Sequence, residues 1–230
     1  MNETLLREEQ LRTEVSIERV INDVRTTIKE YCPELTGENL ITEAQLLRVS
    51  EAILEDLKTR IEQDPISVSE EFMYSLSRSF RAVFYYRIAH MIFNISNGQL
   101  IFQACAFRLS ENAVLKTGIE IHPEATIGRR FVIDHGLNTL IGATTSIGDD
   151  CTLLNNVLLG SRRITDNPKG KRHPSIGNRV KISSGVRILG NIFIGDDCKI
   201  GPDCVLKEDV PPNTVVELTK PVSYKTRPVR

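Results

Sequence analysis

Apolar residues follow two different rules along this chain, and the change falls near residue 115. From Leu5 to about Ser96 they recur at helical spacing: Leu46, Leu47 and Val49, then Ile53, Leu54 and Leu57, then Ile61. Gly37 is the one glycine of that stretch. Thr42 followed by Gln45 is a capping-box signature and predicts a helix start. The break at Asp64-Pro65 ends that helix, and Ser67 or Ser69 caps the next. The pattern predicts several helices with short connections over residues 1–114.

From Ile121 onward the period is six. Ile121, Ile127 and Ile133 keep it; Ile141, Ile147, Leu153 and Leu159 resume it after a shift; Ile176, Ile182, Ile188, Ile194, Ile200 and Leu206 resume it again. Glycine follows the aliphatic residue at Gly128, Gly142, Gly148, Gly177, Gly195 and Gly201. A hexapeptide repeat of this kind makes a three-sided coil. Each unit gives one short strand and one corner, and the aliphatic residue points inward onto its copy in the next coil. A sandwich would space its strands more widely and less regularly. The expected fold is therefore α+β: a helical N-terminal domain (1–114), a left-handed parallel β-helix (115–215) and a tail (216–230).

The six-residue rule fails twice. Two extra residues follow Asp134-His135, and a longer insert, SRRITDNPKGKRHPS, separates Leu159 from Ile176. A solenoid exports insertions as loops, often on its binding face. Both breaks carry reactive side chains, and that coincidence marks the candidate site.

Composition narrows the class. A 40% hydrophobic, 26% charged chain of 230 residues is an ordinary globular composition. Its net charge of −1 offers no basic field for nucleic acid or a membrane surface. No apolar run reaches the length of a membrane span; 82–95 is short and interrupted by Arg87 and His90. The first twenty residues are polar, with no secretory h-region. The five cysteines, Cys32, Cys105, Cys151, Cys198 and Cys204, include no CxxC pair, which points to reduced thiols, a cytoplasmic protein and no zinc ribbon.

Several segments, in order and spacing, resemble the serine O-acetyltransferase family: Tyr86-Arg87-Ile88-Ala89-His90, Glu120-Ile121-His122-Pro123, Ile133-Asp134-His135-Gly136, Arg172-His173-Pro174, Ile188-Leu189-Gly190-Asn191 and Val210-Pro211-Pro212-Asn213-Thr214. The resemblance runs from about residue 55 to 215. It implies transfer of an acetyl group from acetyl-CoA, as co-substrate, to the hydroxyl of L-serine. It also implies a homotrimer, or a dimer of trimers, with active sites between neighbours. The chain departs from the family in having Glu120 for aspartate, Gly142-Ala143-Thr144 for Gly-Glu-Thr, and Ser183-Ser184 for Gly-Ala. It ends in Arg230, not in the isoleucine that some members use to bind cysteine synthase, which argues against that complex. These departures leave open another hydroxy amino acid such as homoserine, or a trimeric scaffold without chemistry.

The resemblance assigns roles that the chemistry supports. A hydroxyl attacks a thioester poorly unless a base takes its proton, and the imidazole of His135 suits that task near neutral pH. Glu120 takes the place of the carboxylate that orients the base. Asp64 and Asp134 match positions holding the acceptor's amino group, and Arg172 the position taking its carboxylate. His173 matches a second active-site histidine that binds the acceptor or positions the acetyl carbonyl. CoA is expected near Ser183, Ser184 and Gly185, and near Gly201 and Pro202. The insert's Arg162, Arg163, Lys169 and Lys171 either attract CoA phosphates or form a solvated loop, the second being favoured. His122 reads as structural, and no metal is expected.

Overall fold

A computed structural model of the chain describes residues 14–37, 40–64, 69–165 and 169–219. Among the described residues, five α-helices precede the strands: α1 (Ile17–Tyr31), α2 (Glu43–Glu62), α3 (Glu70–Leu76), α4 (Arg78–Asn94) and α5 (Leu100–Thr117). Short polar side chains start four of them. Ser16, Thr42, Ser69 and Ser77 each accept a backbone N–H from the first turn, which would otherwise lack a partner. The capping box forms, with Gln45 bonding back to the Thr42 N–H at 2.7 Å. Ser67 lies outside the described residues; Ser69 is the cap of α3. Helix α5 runs to Thr117, past the expected border at 114, and stops at Gly118, whose φ of 71° suits glycine.

Fourteen short strands follow among the described residues, wound in five coils. Coil 1 holds β1 (Glu120–Ile121), β2 (Thr126–Ile127) and β3 (Val132–Ile133). Coil 2 holds β4 (Leu140–Ile141), β5 (Ser146–Ile147) and β6 (Thr152–Leu153). Coil 3 holds β7 (Leu158–Gly160), β8 (Ser175–Ile176) and β9 (Lys181–Ile182). Coil 4 holds β10 (Arg187–Leu189), β11 (Phe193–Ile194) and β12 (Lys199–Ile200), and coil 5 holds β13 (Val205–Leu206) and β14 (Val215–Val216). All pairings are parallel, and they form three faces: β1-β4-β7-β10-β13, β2-β5-β8-β11 and β3-β6-β9-β12-β14. Each periodic aliphatic residue stacks in register on its copy, as Ile121 does on Ile141 and Ile141 on Leu159. Together they form one buried column. The fold is the left-handed β-helix expected from the hexapeptide period.

The ladder has a direction. The N–H groups along the strands of one coil donate to carbonyls of the next: His122 to Ile141 (3.0 Å), Thr126 to Thr145 (3.0 Å) and Gly128 to Ile147 (2.9 Å). The equivalent carbonyls of coil 1 have no coil beneath them, and the helices supply donors instead. Ser110 donates to Ile121 O (2.9 Å), Tyr86 to Ala125 O (2.7 Å), and Arg87 to Ile127 O (2.7 Å) and Gly128 O (2.6 Å). His90 Nδ1 donates to Pro123 O at 2.8 Å. Arg87 also grips the buried Asp56 through Nε (2.8 Å) and Nη2 (3.0 Å), and Asp56 accepts the Phe131 N–H (2.8 Å). Helix α4 thus roofs the β-helix, and its Val83 and Tyr86 belong to the same apolar core.

Candidate active site

The candidate residues fall on two different edges of the prism. The edge between the third and first faces carries Asp134 and His135, and in later coils Asn155-Asn156, Ser183-Ser184-Gly185 and Gly201-Pro202-Asp203. The regular corner residue there is left-handed: Asn156 (φ 58°), Gly185 (φ 76°) and Asp203 (φ 58°). Counting back from Ile141, the regular corner of coil 1 is Asn138, with φ 62° and a 2.7 Å bond from its amide to Asn156 Oδ1. The two extra residues therefore leave the corner intact and push 134–137 outward. His135 lies at the tip, exposed, with φ 60°, in a conformation few non-glycine residues adopt. Tight bonds hold the tip: Gly136 N–H to Asp134 O (2.7 Å) and Leu137 N–H to His135 O (3.0 Å).

Asp134 anchors this loop to the helices. Its Oδ1 accepts from Arg60 Nη2 at 2.7 Å, and Arg60 Nη1 pairs with Asp64 at 2.9 Å. The two carboxylates expected to share a ligand are thus brought together, with the Arg60 side chain joining them. Sequence reasoning missed Arg60, although its position four residues before Asp64 on a helix was the available signal. Among the described residues no hydrogen bond joins Glu120 to His135. Its carboxyl is pushed up by burial and by the nearby Glu111.

The same edge holds the expected CoA residues, in line with His135. The N–H groups of Ser183, Gly185 and Gly201 donate to Ile200 O, Asn155 O and Val216 O, and the Ser184 hydroxyl donates to Asn155 Oδ1 at 2.8 Å. Those amides are committed to the ladder. What this edge offers a ligand is therefore its surface and its remaining polar atoms.

The edge between the first and second faces carries the second cluster. The long insert leaves the prism after β7 and returns at Arg172-His173-Pro174. His173 is buried, and its ring lies against Gly142, where a Cβ would come within 2.4 Å of it. Its Nδ1 accepts from the Thr144 N–H (3.1 Å) and lies 2.9 Å from Thr144 Oγ1. That hydroxyl is fixed as a donor to the ring, because it accepts the N–H groups of Arg172 (3.0 Å) and His173 (3.1 Å). The neutral ring therefore carries its proton on Nε2. Burial, with Arg172, His122 and Lys171 nearby, pushes His173 down to about 4, so it is neutral at pH 7. Thr144 is a second residue that sequence reasoning missed.

Lys171 is not a solvated loop residue. Its Nζ donates to Thr144 O (2.6 Å), Ser146 Oγ (3.2 Å) and Pro174 O (3.3 Å), latching the insert to the prism. Arg162 likewise bonds to Lys207 O. His122 packs edge-on against Phe107 and accepts the Glu124 N–H at 3.1 Å.

A left-handed β-helix with a histidine-bearing corner loop and a second, tautomer-fixed histidine defines a hexapeptide-repeat acyltransferase. Residues 173–208 match the family described as bacterial transferase hexapeptide (six repeats). The chain is 42% identical over 155 residues to the serine acetyltransferase of Helicobacter pylori (strain ATCC 700392 / 26695), covering 67% of this chain and 86% of the relative. It is 40% identical over 157 residues to that of Bacillus subtilis (strain 168), covering 68% and 69%. Among solved structures, Neisseria gonorrhoeae serine acetyltransferase in complex with serine superposes with a TM-score of 0.70 at 27% identity, covering 96% of this chain and 88% of that one. Isoform 3 from Entamoeba histolytica, in complex with cysteine, gives 0.74 at 27% identity, covering 90% and 72%. This chain belongs to the serine acetyltransferase family.

Proposed function

We propose that the protein transfers the acetyl group of acetyl-CoA to the hydroxyl of L-serine, releasing CoA and O-acetyl-L-serine. The observation that carries this reading is the loop at the third–first edge: Asp134 and the exposed His135 project from it, in line with the edge residues assigned to CoA. His135 takes the hydroxyl proton as the oxygen attacks the thioester carbonyl, then returns it to the departing CoA sulfur. Its exposed ring is free to meet an incoming hydroxyl. Glu120 is the carboxylate the family pattern gives to this imidazole, and its contact with His135 would form in the assembled site. Asp64 and Asp134 take the acceptor's ammonium, and Arg172 its carboxylate. His173, neutral with its proton on Nε2, donates to the acetyl carbonyl oxygen as negative charge grows there.

His135 and His173 sit on different edges of one prism, so a single chain does not unite them. The first face lies between those edges, and it turns Leu140, Leu158 and Val205 outward. A homotrimer with first faces toward the threefold axis would cover these residues. It would also set the His135 edge of one protomer against the His173 edge of the next. The helical domains could then pair two trimers.

The test measures CoA release from acetyl-CoA with L-serine, D-serine, L-homoserine and L-threonine. L-serine-dependent turnover that falls by about 10²–10⁴ in His135→Ala supports the reading. Turnover with L-homoserine in preference would move the acceptor but keep the mechanism. Acceptor-dependent release unchanged by His135→Ala would refute the assigned base. No acceptor-dependent release would leave a scaffold.

A further inference from the structure

Arg60 stands where the assigned chemistry needs a cation from outside. It comes from the last turn of α2 and reaches across to coil 1, so that one guanidinium joins Asp64 (2.9 Å) and Asp134 (2.7 Å). The Arg60 and Asp64 side chains are each 12% exposed, and that of Asp134 is 32% exposed. The pairing is therefore sheltered, with its open side at Asp134, next to His135. Yet it is incomplete: Arg60 Nε is buried and, among the described residues, has no acceptor. Arg87, by contrast, uses Nε and both terminal nitrogens. A buried donor without an acceptor makes the present position of Arg60 less favourable than a fully bonded one.

We propose that Arg60 is a specificity-determining residue that competes for the ammonium site, so that an amino acceptor binds by displacing its guanidinium from Asp64 and Asp134. This rests on the reading above, which gives those carboxylates to the acceptor. Two carboxylates alone would attract any ammonium strongly. With Arg60 in place the site carries one net negative charge, and an amino group gains only the difference between two cations. An acceptor without an amino group owes nothing to this exchange. Arg60 thereby narrows the preference for amino over non-amino hydroxy acids.

The experiment compares binding of L-serine and of 3-hydroxypropanoate, which is serine without its amino group, to the wild type, Arg60→Gln and Arg60→Lys by calorimetry. In Arg60→Gln, L-serine should bind about tenfold more tightly, the scale of one charge-assisted hydrogen bond. 3-Hydroxypropanoate should bind as before, so the ratio of the two affinities rises. Arg60→Lys keeps a competing cation and should leave the ratio near the wild-type value. A parallel change for both ligands would mean that Arg60 only positions the loop, and would overturn the proposal. So would a failure of L-serine to bind any of the three proteins. In the wild type, the Arg60 Nε resonance should shift on adding L-serine and stay in place with 3-hydroxypropanoate; an unmoved signal under saturating L-serine would also overturn it, whether or not Arg60→Gln folds. CoA release by the wild type with L-serine is scored separately. Its absence, with the binding ratio still shifted, would sink the acetyl-transfer reading and leave the Arg60 inference standing.

Discussion

Two arginines meet aspartates where the helices join the β-helix, and they are bonded in different ways. Arg87 lies inside the roof with Asp56, and the pair is closed: the guanidinium reaches the carboxylate and two coil-1 carbonyls, while Asp56 also holds the Phe131 N–H. Arg60 lies at the rim with Asp64 and Asp134, and its buried Nε has no acceptor among the described residues. The residue types are the same, yet the first arrangement is built to stay and the second to be exchanged. What separates them is whether every donor and acceptor is satisfied without a ligand.

The strongest way to break this comparison is to remove Arg87. Arg87→Met should cost about 3–5 kcal/mol, because it leaves Asp56 buried without a cation. A urea melt monitored by circular dichroism would read that loss, and activity would go with the fold. Arg60→Gln should cost clearly less in the same melt. If the two melts fell together, the roof and the rim would not differ as described.

A smaller effect is expected from Tyr86→Phe. The ring stays in the core, but the Ala125 carbonyl loses its 2.7 Å donor. An unsatisfied buried carbonyl costs about 1–3 kcal/mol. A variant as stable as the wild type would show that the Tyr86 bond to Ala125 O adds nothing to the hold of the roof on coil 1.

A pH-dependent effect is expected at the other edge of the prism, where His173 lies. His173 has a folded pKa near 4, below the ordinary 6.5 of a histidine. Above pH 6.5 it is neutral in both folded and unfolded chains. Between 6.5 and 4 the unfolded chain takes up a proton that the folded chain refuses, so stability falls as pH falls through that window. Below 4 the folded ring protonates too and the loss levels off. His173→Gln has no such proton, so the wild type's advantage over it should shrink from pH 7 to pH 4. A difference that stays constant with pH would mean that His173 is not buried and neutral.

Much of this was legible in the sequence, for a physical reason. A hexapeptide period states which side chain faces inward at every step, so the column from Ile121 to Leu206 and the two outward loops could be read directly. The capping box at Thr42 was legible too, because it depends on two residues three apart. What the period does not state is which carbonyls lack a coil beneath them. Tyr86, Arg87 and His90 therefore stood out as a resembling segment without an evident task. Thr144 was hidden because its work is to hold a ring that arrives from the far end of an insert. Lys171 was misread because a lysine among basic loop residues looks solvated until its three oxygen partners are seen. Arg60 left a trace in its spacing to Asp64, but Asp134 lies on a different part of the fold.

The forward run of the strand amides also bears on how the chain is made. A growing polypeptide emerges amino end first, so the roof donors on α4 and α5 exist before there is a coil to receive them. Coil 1 can settle against that finished template. From then on the strand amides of each turn wait for the carbonyls of the turn that follows, while its corner amides bond back to the turn already laid down, as Asn156 N–H does to Leu137 O. Winding in the order of synthesis thus leaves a single layer of strand amide hydrogens exposed at any moment, and that layer is always the newest one.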